Sequence, residues 1–115
     1  MVEDRITDGK RIGQLLASEL TGLQTGALAD VEVVDADRSV SPEPEGAEAY
    51  RIAFSDEPVA TVSLFPTCIE IHLVSGSWAH GSRGTELVDE RTLRVHTGAA
   101  VKQVVDCLRS TLERE

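Results

Sequence analysis

Three consecutive stretches of this chain alternate apolar and polar residues with the two-residue period of a strand, and the links between them are too short to hold a helix. In 50–55 the residues Tyr50, Ile52 and Phe54 fall on one side; in 59–65 Ala60, Val62 and Leu64 do; in 67–74 Ile69, Ile71 and Leu73 do. Ser55-Asp56-Glu57-Pro58 and Phe65-Pro66-Thr67 are the links. Parallel neighbours need a crossover of about a dozen residues or more, so these strands are expected to pair antiparallel. A meander with one apolar face results, and that face has to be covered.

The ends of the chain supply the cover. Ile12, Leu15, Leu16, Leu20 and Leu23 recur at helical spacing, with Arg11, Gln14 and Ser18 opposite. Thr7 is the expected cap, Asp8 falls in the opening turn, and Gly22 and Gly26 mark the stop. At the other end Thr97 is placed to cap a helix whose buried stripe is Val101, Val104, Val105, Leu108 and Leu112, with Lys102, Asp106, Arg109 and Glu113 on the wet side. Between the first helix and the meander, 28–36 is rich in β-branched residues, Val31 and Val33 alternate with Glu32, and the segment reads as a strand. The segment 39–46 carries Pro42 and Pro44 and reads as a long exposed loop, either a binding loop or, the preferred reading, a mobile acidic connector. After the meander, 92–96 reads as a short fifth strand with Leu93 and Val95 inward, and 86–90 is ambiguous. The expectation is an α+β fold of two layers in a single domain, 1–115. A four- or five-stranded antiparallel sheet carries the N- and C-terminal helices on one face, in the order α-β-β-β-β-(β)-α.

Charge bears on environment and partners. The 115 residues carry twenty Asp and Glu against eleven Lys and Arg, a formal charge of −9, and the only lysines are Lys10 and Lys102. The acid runs from Glu3 to Glu115 and is not gathered in a tail, so in dilute buffer it opposes compaction. In concentrated salt the Debye length falls from about 10 Å at 0.1 M to about 3 Å at 1 M, and the same charge costs little. The composition therefore points to a salt-adapted protein. It has no basic stripe for nucleic acid, no apolar run of the roughly 20 residues that span a bilayer, and no apolar stretch behind Met1 of the signal-peptide kind, so a cytoplasmic protein is expected. Cys68 and Cys107 form no CxxC and read as free thiols.

The stretches Asp4-Arg5-Ile6-Thr7-Asp8-Gly9-Lys10-Arg11-Ile12 and Thr97-Gly98-Ala99-Ala100-Val101-Lys102, with the acidic bias, resemble a group of small haloarchaeal proteins with no known activity. The resemblance covers the two helices and the general layout. It implies adaptation to salt and brings no catalytic residue and no cofactor.

Two groups of side chains could do chemistry or make contacts. The reverse face of the meander carries Arg51, Thr61, Ser63, Glu70 and His72, a polar surface suited to water or to a partner. Cys68, Glu70 and His72 alternate on one strand, but a tetrahedral metal site needs further ligands and successive side chains on a flat strand diverge. No metal is assigned; Glu70 is expected to pair with an arginine such as Arg51. The second group lies in 75–84, where three glycines free the backbone and Trp78, His80 and Arg83 could anchor an anionic ligand. The alternative is that Trp78 folds over the edge of the core. No phosphate-loop pattern is present, and the serines sit in no nucleophile elbow. The preferred reading is a noncatalytic interaction or structural protein, docking a protein partner or a second copy through the sheet; the alternative is a small enzyme or ligand binder using 75–84. A flat surface would favour the first, and a concave pocket of roughly 300 Å³ or more the second.

Overall fold

The computed structural model describes residues 8–22, 31–37, 39–74, 76–78 and 84–113. Helix α1 spans Gly9–Gly22. Its cap is Asp8: the Asp8 Oδ1 accepts the Lys10 N–H at 2.9 Å, and the Asp8 carbonyl takes the Ile12 N–H. The expected cap, Thr7, lies outside the described residues. Gly9 is required because the first turn of α1 abuts the link between residues 65 and 68, its N–H reaching the Pro66 carbonyl at 3.2 Å, and a Cβ there would collide with the carbonyl oxygens of Phe65 and Cys68.

Six strands follow: β1 Val31–Val34, β2 Ala47–Phe54, β3 Glu57–Phe65, β4 Cys68–Leu73, β5 Thr85–Leu87 and β6 Thr92–Val95. All pairings are antiparallel, in the order β1-β2-β3-β4-β6-β5. The architecture is the expected α+β layout, with six strands where four or five were expected. The added strand is β5, which begins one residue before the ambiguous stretch and overlaps its start; β6 slots between it and β4. The β5–β6 turn is fastened by the Asp89 Oδ1, which accepts the N–H groups of Arg91 at 2.8 Å and Thr92 at 2.9 Å. Those bonds, Arg91's first, hold the Asp89 carboxyl below its ordinary value.

Strand β2 starts three residues earlier than its alternation suggests. A bulge lies between Glu48 and Tyr50, so Ala49 and Tyr50 are both buried and the two-residue period is broken. A second irregularity, between Ile52 and Ala53, restores the register before the β2–β3 turn. That turn places Ser55 at φ 51° and Asp56 at φ 68°, the left-handed pair of a type I′ hairpin.

Helix α2 spans Val101–Glu113 after a 3-10 turn, Gly98–Ala100. Thr97 precedes that turn but makes no side-chain capping bond. The core is one cluster in which Ile12, Leu16 and Leu20 of α1 and Val101, Val104, Val105 and Leu108 of α2 meet the inward residues of β2, β3, β4 and β6. Cys68 and Cys107 are both buried and form no disulfide. Among the described residues no helix is long and apolar enough to cross a membrane.

Candidate functional site

Register explains what the polar sheet face does. One row across the strands reads Arg51, Thr61, His72, Thr92; the next reads Glu48, Ser63, Glu70, Arg94, Glu86. Glu70 therefore lies opposite Arg94, not Arg51. Its Oε2 accepts Arg94 Nε at 3.0 Å and Nη2 at 2.7 Å, and Arg94 Nη1 reaches Glu86 at 3.6 Å. The Glu70 bonds raise the Arg94 guanidinium's pKa further. Arg51 instead stands 3.8 Å from Glu48 in an exposed pair. His72 Nδ1 is 2.7 Å from the Thr92 hydroxyl, and His96 Nε2 is 3.3 Å from Glu86. Thr61 and Ser63, one in each row, are half-buried. Cys68 is nearby, its thiol pushed up by burial, the opposite of an activated nucleophile. Among the described residues no group of three His, Cys, Asp or Glu is arranged to hold a metal. The five residues expected to form a contact surface do share one face, but Glu70 and His72 spend their polar groups on neighbours within the sheet.

In the 75–84 segment, Trp78 is buried with the core; its backbone N–H donates to the Glu90 carbonyl at 2.8 Å and its indole N–H to the Arg91 carbonyl at 3.0 Å. His80 and Arg83 lie outside the described residues.

A concave feature among the described residues lies elsewhere, in a place the sequence reading missed. A groove of about 500 Å³ runs between α1 and the connection that leaves β1. Lys10, Gln14, Ser18 and Thr21 form the α1 wall, and Ala36, Asp37 and Val40 the facing one; Gly13, Ala17, Val33, Ala49, Tyr50 and Leu64 form the floor. The space exists because small residues occupy inward positions. Gly13 lets α1 approach β3, where a Cβ would come within 2.8 Å of Leu64 Cδ2, and the bulge brings Ala49 inward where a longer side chain would fill the gap. Tyr50 closes the floor: its hydroxyl donates to the Gly13 carbonyl at 2.7 Å across the core.

Electrostatics in the groove suit holding better than reacting. Burial pushes the Tyr50 hydroxyl well above its ordinary value, so it stays protonated and committed to Gly13. The Asp37 carboxyl is held below its ordinary value by the Ser39 hydroxyl first, then the Ser39 N–H, with a smaller contribution from Lys10. It is a fixed anion and a weak base. Thr21 donates its hydroxyl to its own helix, to the carbonyls of Ala17 at 3.0 Å and Ser18 at 3.2 Å. The signal that could have revealed the groove is a negative one, the run of Gly13 and Ala17 along the inner side of α1 facing Ala49.

Across residues 1–115 the chain matches a family described as a family of unknown function, DUF7993, and it belongs to that family. No curated protein and no solved structure matches it.

Proposed function

We propose that this family member is a noncatalytic, salt-adapted binding domain that holds a small amphipathic ligand in the groove between α1 and the β1–β2 connection. The observation that carries the reading is the groove's size and lining: about 500 Å³, an apolar floor, and a few polar groups at the rim. Small-molecule sites run from about 300 to 1,000 Å³ and have that composition. Tyr50 and Asp37, the two lining groups with displaced titration, are displaced away from proton transfer at neutral pH, which favours binding over catalysis. Salt adaptation rests on the charge of −9 dispersed along the chain.

The test is a ligand-observed NMR screen of small amphiphiles against the full chain in high salt, with binders mapped by amide shifts. Binders should shift Ala17, Val33 and Ala49, and Ala17→Phe, which fills the floor, should abolish them. Binders that map elsewhere, or survive the filling, would overturn the reading.

A second reading, self-association through the sheet edge, is favoured by Val74, Leu87 and Val88, which are 53%, 44% and 46% exposed at the β4 and β5 end. It expects a dimer by sedimentation in high salt that Leu87→Glu dissociates; a monomer at all concentrations removes it.

A further inference from the structure

The charged groups of the groove are of opposite sign and gather at one end. Lys10 sits in the first turn of α1 and Asp37 in the facing connection; both line the groove, and Lys10 is near enough to favour Asp37 as a carboxylate. They do not pair with one another within 4.0 Å, and the Lys10 ammonium makes no ion pair among the described residues. Asp37 takes both Ser39 donors, the N–H at 2.9 Å and the hydroxyl at 2.6 Å, on Oδ1 alone. Its Oδ2 accepts nothing from the described residues. An ammonium and a carboxylate oxygen thus bracket the head of a groove whose floor continues into Ala17, Val33 and Ala49.

We propose that the ligand is a zwitterionic α-amino acid with a large apolar side chain, its carboxylate on the Lys10 ammonium, its ammonium on Asp37 Oδ2, and its side chain along the floor. The inference rests on the groove reading and specifies its head group. The local charges support it. A purely anionic amphiphile meets the Asp37 carboxylate at the head of the groove, and a purely cationic one meets the Lys10 ammonium. A molecule with both charges is neutral overall and satisfies both residues.

The experiment is calorimetric titration of the full chain in high salt with L-leucine and L-phenylalanine. The same apolar bodies lacking one charge (isoamylamine and phenethylamine, 4-methylpentanoate and 3-phenylpropionate) and the blocked N-acetyl amino-acid amides serve as comparisons. The free amino acids should bind about threefold or more tighter than any of these, since an exposed charge contact in high salt is worth a factor of about that order. Lys10→Ala should erase the advantage over the amines, and Asp37→Asn the advantage over the acids, with circular dichroism unchanged. Equal binding of all the compounds, abolished by Ala17→Phe, would overturn the head-group assignment and leave the groove standing. Tighter binding of the blocked amides would assign the groove to a peptide segment and overturn it as well. No binding by any member of the set overturns the amino-acid assignment, while the broader amphiphile screen judges the groove separately.

Discussion

Two regions of the same core are packed in opposite ways. Most of the core is filled: Val101, Val104, Val105 and Leu108 of α2, Leu93 and Val95 of β6 and the Trp78 ring are buried in one cluster, and Gly84 passes so close to Ala100 that a Cβ would come within 3.1 Å of its Cβ. On the groove side of α1 the corresponding positions are Gly13, Ala17 and Ala49, and about 500 Å³ is left open. The first region uses side-chain volume to hold the fold together. The second gives volume up, and with it dispersion contacts and stability, which is the usual condition of a binding site. The contrast also separates two kinds of polar residue. On the sheet face Glu70, Arg94 and His72 spend their groups on each other and on Thr92; at the groove, Lys10 and Asp37 Oδ2 stay available.

Salt should produce the largest effect. Unscreening the dispersed negative charge by lowering KCl from multimolar to about 0.1 M should loosen or unfold the chain, because the Debye length grows from about 3 to about 10 Å. The loss should be uneven. In hydrogen exchange followed through the titration, α1 should lose protection before α2, because the groove leaves one side of α1 open. Uniform loss would erase the contrast between the regions, and an unchanged circular dichroism spectrum would remove the salt-adapted reading.

Substitution is the sharper probe. Trp78→Ala should cost about 3–5 kcal/mol in denaturant unfolding, the range for removing a large aromatic side chain from a core. Ala17→Phe, although it adds far more volume than a packed core accepts, should stay within about 1 kcal/mol of the parent because the groove takes the ring; overpacking a closed site costs about 1–3 kcal/mol. Equal costs would mean that the groove closes in solution.

Tyr50→Phe lies at the boundary of the two regions. At neutral pH it should cost about 1 kcal/mol, the usual net value of a buried hydrogen bond, by releasing Gly13 from the floor. The pH dependence has a defined sign. The folded hydroxyl is raised above its ordinary value of 10.0, so the folded state holds this proton more tightly than the unfolded chain does. Its contribution is complete below pH 10 and is lost as pH rises above it. The parent should therefore lose stability above pH 10, and Tyr50→Phe should flatten that decline; an identical alkaline slope in both would show that Tyr50 ionises freely.

What the sequence made legible follows the same division. The α2 stripe, the first helix and the meander were readable because each buries bulk at a regular period, three to four residues for the helices and two for strands such as β3 and β4. Strand β5 was not, since it is three residues long at an edge and Leu87 needs no inward partner. Nor was the start of β2, where the bulge turns Ala49 and Tyr50 inward together. Arg94 escaped as the partner of Glu70 because that pairing depends on the β4–β6 register, set by a chain reversal far along the sequence. The groove was hidden for a related reason. It is defined by missing volume and by where the segment around Asp37 comes to rest, and neither leaves a periodic trace.

The smallest expected effect concerns the hairpin that builds the groove's floor. Ser55 and Asp56 both hold left-handed backbone, at φ 51° and 68°, in the two-residue turn joining β2 to β3. That conformation costs most residues about 1–2 kcal/mol each; aspartate bears part of the penalty through local hydrogen bonding, and glycine bears almost none. Asp-Gly and Asn-Gly are accordingly the favoured pairs for this turn. Asp56→Gly should raise stability by about 0.5–1 kcal/mol in denaturant unfolding, less than the full strain because glycine also loosens the unfolded chain. The gain should come with slower exchange at Ala49 and Tyr50, since β2 carries the bulge that shapes the floor. If stability rises and exchange at those two amides does not slow, the openness under α1 is independent of the hairpin and belongs to the helix and the Asp37 segment alone.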